Sequence, residues 1–101
     1  MTSKQRAMLR SMANTIDTIL YIGKDGIVPG TIKSASDALE ARELIKGCVQ
    51  PECPLTAKEA LEELTRELGA EGVQCIGTKF VLYRRNDKEP KIELPREKGK
   101  K

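Results

Sequence analysis

Thr18-Ile19-Leu20-Tyr21-Ile22-Gly23-Lys24-Asp25-Gly26 is the stretch on which the fold turns. Its first five residues are β-branched, aromatic or aliphatic, a composition that suits a pleated surface and predicts a short buried strand. Gly23 and Gly26 then bracket Lys24-Asp25 in a tight turn, because glycine adopts positive φ at no steric cost. Pro29 fits the first turn of a helix, where its missing N–H removes no bond, so a helix starts near residues 27 to 30. Val28, Ile32, Ala35 and Leu39 step by four, three and four and share one face of it. A strand, a glycine turn and an amphipathic helix in succession open an α/β unit, which needs further strands to bury that face.

Those strands lie downstream. Leu44-Ile45-Lys46-Gly47-Cys48-Val49 reads as the second, and Gln50-Pro51-Glu52-Cys53-Pro54 is too proline-rich to prolong it. Thr56-Ala57-Lys58-Glu59 is a capping box, followed by Ala57, Leu61, Leu64 and Leu68 at helical spacing and by Gly69 as a stop. The outer face of this helix carries Glu59, Glu62, Glu63 and Glu67. Val73–Ile76 and Phe80–Arg84 read as two strands joined by a three-residue link, Gly77-Thr78-Lys79, in a hairpin. Upstream, Thr2-Ser3-Lys4-Gln5 is a second capping box. It opens a helix that buries Met8, Leu9, Met12 and Ala13, turns Arg6 and Arg10 to solvent, and closes at Asn14. The order is helix-β-α-β-α-β-β, a single-domain α/β sandwich on a small mixed sheet. Beyond Arg85 only Ile92 and Leu94 continue the apolar pattern, so the domain is expected over residues 1–94, with 95–101 a basic, mobile tail.

A chain of 101 residues makes one domain. With 39% hydrophobic and 33% charged residues, and apolar runs of only a few positions, it is expected to be cytoplasmic, with neither a membrane span nor a signal peptide. Cys48, Cys53 and Cys75 show no C-x-x-C spacing, and the chain has no His, so reduced thiols, no metal and no cofactor are expected. The missing His also removes the commonest general base and the Ser-His and Cys-His nucleophile pairs. No pair of groups with matched acid and base roles stands out, so neither an enzyme nor a small-molecule substrate is expected.

The net charge of +3 is unevenly spread: residues 1–33 carry +3, residues 34–72 carry −5 and residues 73–101 carry +5. A fold that joins the two ends presents a positive face, suited to a polyanion, backed by a negative one. The sharpest local candidate for contact is Gly23-Lys24-Asp25-Gly26. Its glycines admit a phosphate to the backbone, the helix start behind it offers free N–H groups, and Lys24 adds a mobile cation. A G-x-x-G turn of this kind is how KH domains clamp a nucleic-acid backbone. The spacing fits neither the dinucleotide fingerprint nor the P-loop. Arg84 and Arg85 end the last strand, where the plain expectation is an exposed strand end. Tyr21 and Tyr83 are two of only three aromatics and are expected in or beside the core, which disfavours a base-stacking platform.

Several separated motifs occur in a fixed order: Lys4-Gln5-Arg6, Ile22-Gly23-Lys24-Asp25-Gly26-Ile27, Ala38-Leu39-Glu40-Ala41-Arg42-Glu43-Leu44-Ile45-Lys46, Val73-Gln74-Cys75-Ile76-Gly77, Val81-Leu82-Tyr83-Arg84 and Lys91-Ile92-Glu93-Leu94-Pro95. Together, across about residues 2–94, they resemble the YhbY family of stand-alone CRM domains. That resemblance implies a four-stranded mixed sheet similar to the C-terminal domain of translation initiation factor three. It also implies an RNA-binding protein that associates with ribosomal RNA in precursors of the large subunit, here expected to act as a monomer. Its RNA contact falls on Gly23, Lys24, Asp25 and Gly26, with Lys4, Arg6, Arg10, Lys33, Lys79, Arg84 and Arg85 as the surrounding basic groups. Asp25 stands where family members often carry Asn, and a carboxylate repels phosphate, so backbone N–H groups and Lys24 must dominate. The alternative is a protein-interaction adaptor on ribosomal precursors that uses the acidic third helix.

Overall fold

A computed structural model describes residues 2–86 together with Lys88 and Ile92. Its elements are α1 (Ser3–Ala13), β1 (Thr18–Ile22), α2 (Pro29–Arg42), β2 (Leu44–Val49), α3 (Ala57–Leu68), β3 (Glu71–Ile76) and β4 (Lys79–Tyr83). The four strands form one mixed sheet in the order β1-β2-β4-β3. β1 runs parallel to β2, whereas β4 is antiparallel to both β2 and β3. The helix-β-α-β-α-β-β order and the mixed sheet are those expected.

Local chemistry sets the helix ends. Thr2 Oγ1 accepts from Gln5 N–H at 3.1 Å while Gln5 Oε1 accepts from Thr2 N–H at 3.0 Å, and Thr56 and Glu59 repeat the arrangement at 3.1 and 2.9 Å. Such a cap contributes roughly 1 kcal/mol. α3 stops at Gly69, which takes the left-handed conformation at φ 64°. α2 starts differently: Val28 is its N-cap and has no side-chain acceptor, so Thr31 Oγ1 reaches back to Val28 N–H at 3.3 Å. Val28 therefore lies outside the helix, 41% exposed, rather than on its buried face.

Side chains of alternate residues divide the core between the two faces of the sheet. Leu20, Ile22, Ile45, Val49, Phe80 and Leu82 pack under Ala35 and Leu39 of α2 and Ala57, Ala60, Leu64 and Leu68 of α3. Leu44, Val73, Val81 and Tyr83 meet Leu9 and Ala13 of α1, with Ile92 joining them. Truncating Leu64, which is fully buried, to Ala costs about 2–5 kcal/mol. Gly47 completes the larger cluster, because a Cβ there would lie 2.5 Å from Phe80 Cε1; the aromatic ring occupies that space.

Two expectations need correction. β1 is an edge strand buried on one face only: Leu20 and Ile22 point inward, while Ile19 and Tyr21 are 37% and 58% exposed. A run of five apolar residues has the same composition in either position, so periodicity could not separate them. The hairpin link is two residues, because Lys79 already pairs with Ile76. Gly77, at φ 59°, supplies the positive φ of a II′-type turn.

Glu43 sits at the join of α2 and β2. It is fully buried and holds a positive φ of 66°, rare for a side-chain-bearing residue. Its carboxylate accepts the Asn86 N–H through Oε2 and the Ile92 N–H through Oε1, both at 2.6 Å. Its carbonyl accepts the Arg84 N–H at 2.9 Å. One side chain thus ties the chain beyond β4 to the centre of the fold. The expected tail, 95–101, lies outside the described residues, as do Leu94 and the lysines and arginine near it.

Candidate nucleic-acid interface

The C-terminal ends of β1, β2 and β3 and the N-terminal end of β4 coincide, which gathers three loops at one end of the sheet. Hydrogen bonds sew these loops together. Gln50 N–H donates to the Ile22 carbonyl and Val49 N–H to the Thr78 carbonyl, both at 2.9 Å. Within the first loop, Gly26 N–H donates to the Gly23 carbonyl at 3.0 Å, closing a turn with Lys24 and Asp25 exposed at its tip.

The two glycines serve different ends. Gly26 holds φ +70°, and a Cβ there would meet Pro54 Cγ at 3.7 Å and Leu55 Cδ1 at 3.9 Å, so the constraint is backbone conformation and not space. Gly23 has no positive φ, and its virtual Cβ meets only Gln50 Oε1, at 3.1 Å, the tip of an exposed side chain. Gly23 is half-buried, and only that movable side chain stands where a Cβ would go. Behind the turn, α2 begins at Pro29, which has no N–H, and the Gly30 and Thr31 amides have no acceptor among the described residues. With no side-chain acceptor at Val28, the start of α2 presents free donors and a positive dipole end, the arrangement that attracts an anion.

The basic residues fall into separate groups. Lys4, Arg6 and Arg10 lie on α1, the layer against one face of the sheet; Arg6 and Arg10 are half-buried, contrary to the expectation that both turn to solvent. Arg6 Nη1 donates to the Gly72 carbonyl at 3.2 Å and so pins α1 to β3. Lys79 points to this same face, since it alternates with Phe80 on the other. Lys33 is on α2, beyond the opposite face, where it pairs with Asp37 at 3.1 Å, both side chains being mostly exposed. Such a pair contributes little, at most about 1 kcal/mol.

Arg84 leaves the sheet toward α2 and α3. Its guanidinium donates to the Leu68 carbonyl, the Ser36 carbonyl and Ser36 Oγ, each at 3.1 Å, with Glu40 at 3.9 Å. Its side chain is 22% exposed, unlike the exposed strand end the sequence suggested, and its donors join two helices. Arg85 beside it is exposed. Both stand at the far end of β4 from the turn, roughly 17 Å away along the strand.

Sequence reasoning passed over Lys46 and misplaced Tyr21. Lys46 lies on the α1 face of β2, and the alternation with Ile45 and Gly47 was the signal that could have found it. Tyr21 is on the same face, exposed, its hydroxyl bonded to the Thr18 carbonyl at 3.3 Å, whereas Tyr83 is buried as expected. Asp17 and Glu71 are carboxylates on this side, and the acidic outer surface of α3 is on the other. Among the described residues no three metal-ligating side chains converge, and no helix is long and apolar enough to cross a membrane. The three cysteines are unbridged.

Comparison with known proteins identifies the domain. Residues 1–84 match the CRS1 / YhbY (CRM) domain. A Bacillus subtilis protein named "Probable RNA-binding protein YqeI" is 39% identical over 95 residues, covering 94% of this chain and 99% of that one. A Haemophilus influenzae protein named "RNA-binding protein" is 33% identical over 96 residues, 95% of this chain and 96% of its own. The solution structure of the hypothetical protein SAV1595 from Staphylococcus aureus superimposes with a TM-score of 0.71 at 41% identity, covering 94% of this chain and 99% of that one. The chain belongs to the CRS1/YhbY family and folds as a CRM domain, a non-catalytic RNA-binding module.

Proposed function

We infer that this protein grips structured ribosomal RNA of large-subunit precursors in the cytoplasm, with the Gly23–Gly26 turn as a phosphate clamp. The observation that carries the reading is the turn itself. Lys24 is exposed at its tip, Gly23 carries no side chain and faces only the movable Gln50 side chain, and the unpartnered Gly30 and Thr31 amides follow at the start of α2. Lys4, Arg10 and Lys79 extend the positive surface away from the turn. Contacts of this kind go to phosphate, so affinity falls steeply with salt while base specificity stays modest.

The test is binding to large-subunit ribosomal RNA fragments at two salt concentrations, wild type against a Lys24→Glu, Gly26→Asp double variant of verified fold. Loss of a salt-sensitive interaction in the variant supports the clamp; unchanged binding moves the contact away from the turn. A second reading, an adaptor for a basic ribosomal protein, draws support from a shallow groove of about 400 Å³ that sets Glu63 and Glu67 beside Ile27, Val28 and Ile32. Reversing the charges of Glu59, Glu62, Glu63 and Glu67 abolishes recruitment under the adaptor reading and spares it under the clamp.

A further inference from the structure

α1 covers only part of its face of the sheet. It packs on Leu44, Val73, Val81 and Tyr83, and among the described residues nothing covers the loop end of the same face. Strand register identifies what stands there. Tyr21 pairs with Cys48, Cys48 with Lys79 and Lys79 with Ile76, so these four side chains form one row across all four strands, about 14 Å wide. In the next row, toward α1, Lys46 and Gln74 flank Val81.

The groups in this patch have distinct chemistries. Tyr21 and Ile76 are 58% and 65% exposed, a ring and an aliphatic surface left to solvent. Lys46 and Lys79 make no ion pair among the described residues, and neither row contains a carboxylate. Gln74 offers a carbonyl and an amide for a polar edge. Between Lys46, Gln74, Ile76 and Lys79 lies a shallow hollow of about 190 Å³, below the range of roughly 300–1,000 Å³ typical of metabolite pockets and suited to part of a larger ligand. Unpaired cations beside an exposed ring match a polyanion with flat faces, which is single-stranded nucleic acid. Tyr21 also stands two residues before Gly23, so a strand held at the turn continues onto it without a break.

We propose that this bare end of the sheet, centred on Tyr21, Lys46 and Lys79, binds an unpaired RNA nucleotide next to the backbone held at the Gly23–Gly26 turn. The inference rests on the clamp and adds a ligand class to it: a helical element flanked by a single-stranded segment. Tyr21 supplies the stacking surface, the two lysines hold the flanking phosphates, and Gln74 meets the base edge.

The experiment measures fluorescence anisotropy with a labelled RNA hairpin, blunt or carrying a three-nucleotide single-stranded extension at either end. Wild-type protein is expected to bind an extended hairpin about tenfold more tightly than the blunt one, the scale of one base stacked on an aromatic ring. Tyr21→Ala erases that gain and leaves blunt-hairpin affinity and melting temperature unchanged, and Tyr21→Phe keeps the gain. Equal, salt-sensitive binding of all hairpins by the wild type overturns the platform while the clamp stands, as does a gain that survives in Tyr21→Ala. Loss of all binding in Lys24→Glu supports the clamp. Absence of binding by the wild type overturns the clamp, and the platform with it.

Discussion

Replacing Gly23 and Gly26 one at a time separates the fold of the turn from its proposed contact with RNA. Gly26→Ala places a side chain at φ +70° with no steric obstacle, so its cost is the left-handed backbone alone, about 1–2 kcal/mol. For a domain of this size that lowers the melting temperature by roughly 4–16 °C, and Gly26→Asn, which tolerates the conformation, recovers most of it. Gly23→Ala meets only a movable side-chain oxygen at 3.1 Å, in a backbone conformation open to alanine. Its effect on stability is within about 0.5 kcal/mol, a shift of at most about 4 °C. Binding responds in the opposite order. Under the proposed clamp, a methyl group on Gly23 crowds the phosphate held there and costs a charge-assisted hydrogen bond of about 1.5–3 kcal/mol, or roughly tenfold or more in affinity. Thermal melts and anisotropy titrations with a ribosomal RNA fragment read both quantities. If Gly23→Ala binds within about twofold of wild type at an unchanged melting temperature, RNA does not approach the backbone at this glycine.

The internal polar contacts give three further tests. Glu43→Ala strands the Asn86 and Ile92 amides that now share its carboxylate, so urea denaturation should show a loss of about 2–5 kcal/mol, and an unchanged midpoint would remove Glu43 from the structural account. Arg84→Ala frees carbonyls on α2 and α3 and should cost about 1.5–3 kcal/mol while RNA affinity of the folded protein stays within about twofold; a stable variant with weakened binding would reverse that assignment. Gly47→Ala collides with the Phe80 ring and should destabilise by about 1–3 kcal/mol, part of which Phe80→Leu restores, and a double-mutant cycle with no coupling would contradict the packing.

What could be read from the sequence was what neighbours along the chain decide. The capping boxes at Thr2 and Thr56, the stop at Gly69 and the buried stripe of α3 all depend on residues three or four apart, and each appears in the structure. Glu43 and Arg84 were illegible for the opposite reason. Glu43 bonds residues 43 and 49 positions away and Arg84 residues 16 and 48 away, so in the sequence they look like ordinary members of an acidic middle and a basic end. Tyr21 failed at the next level up: a strand's composition does not reveal whether it is central or at an edge, nor how far α1 extends over it. The turn was legible as a turn, but the separate duties of its two glycines needed φ and the positions of Gln50 and Pro54.

The strand order also bears on how the chain acquires its grip during synthesis. β3 and β4 are joined by two residues and packed on the adjacent α3, so this C-terminal unit closes through local contacts and is expected to form early. β1 pairs only with β2, across the whole of α2, and β2 in turn leans on β4. The turn therefore leaves the ribosome well before the hairpin that anchors its neighbours. A nascent chain carrying Gly23 to Gly26 has the residues of the proposed clamp without its shape, so under that reading RNA capture waits until the last strand has been made.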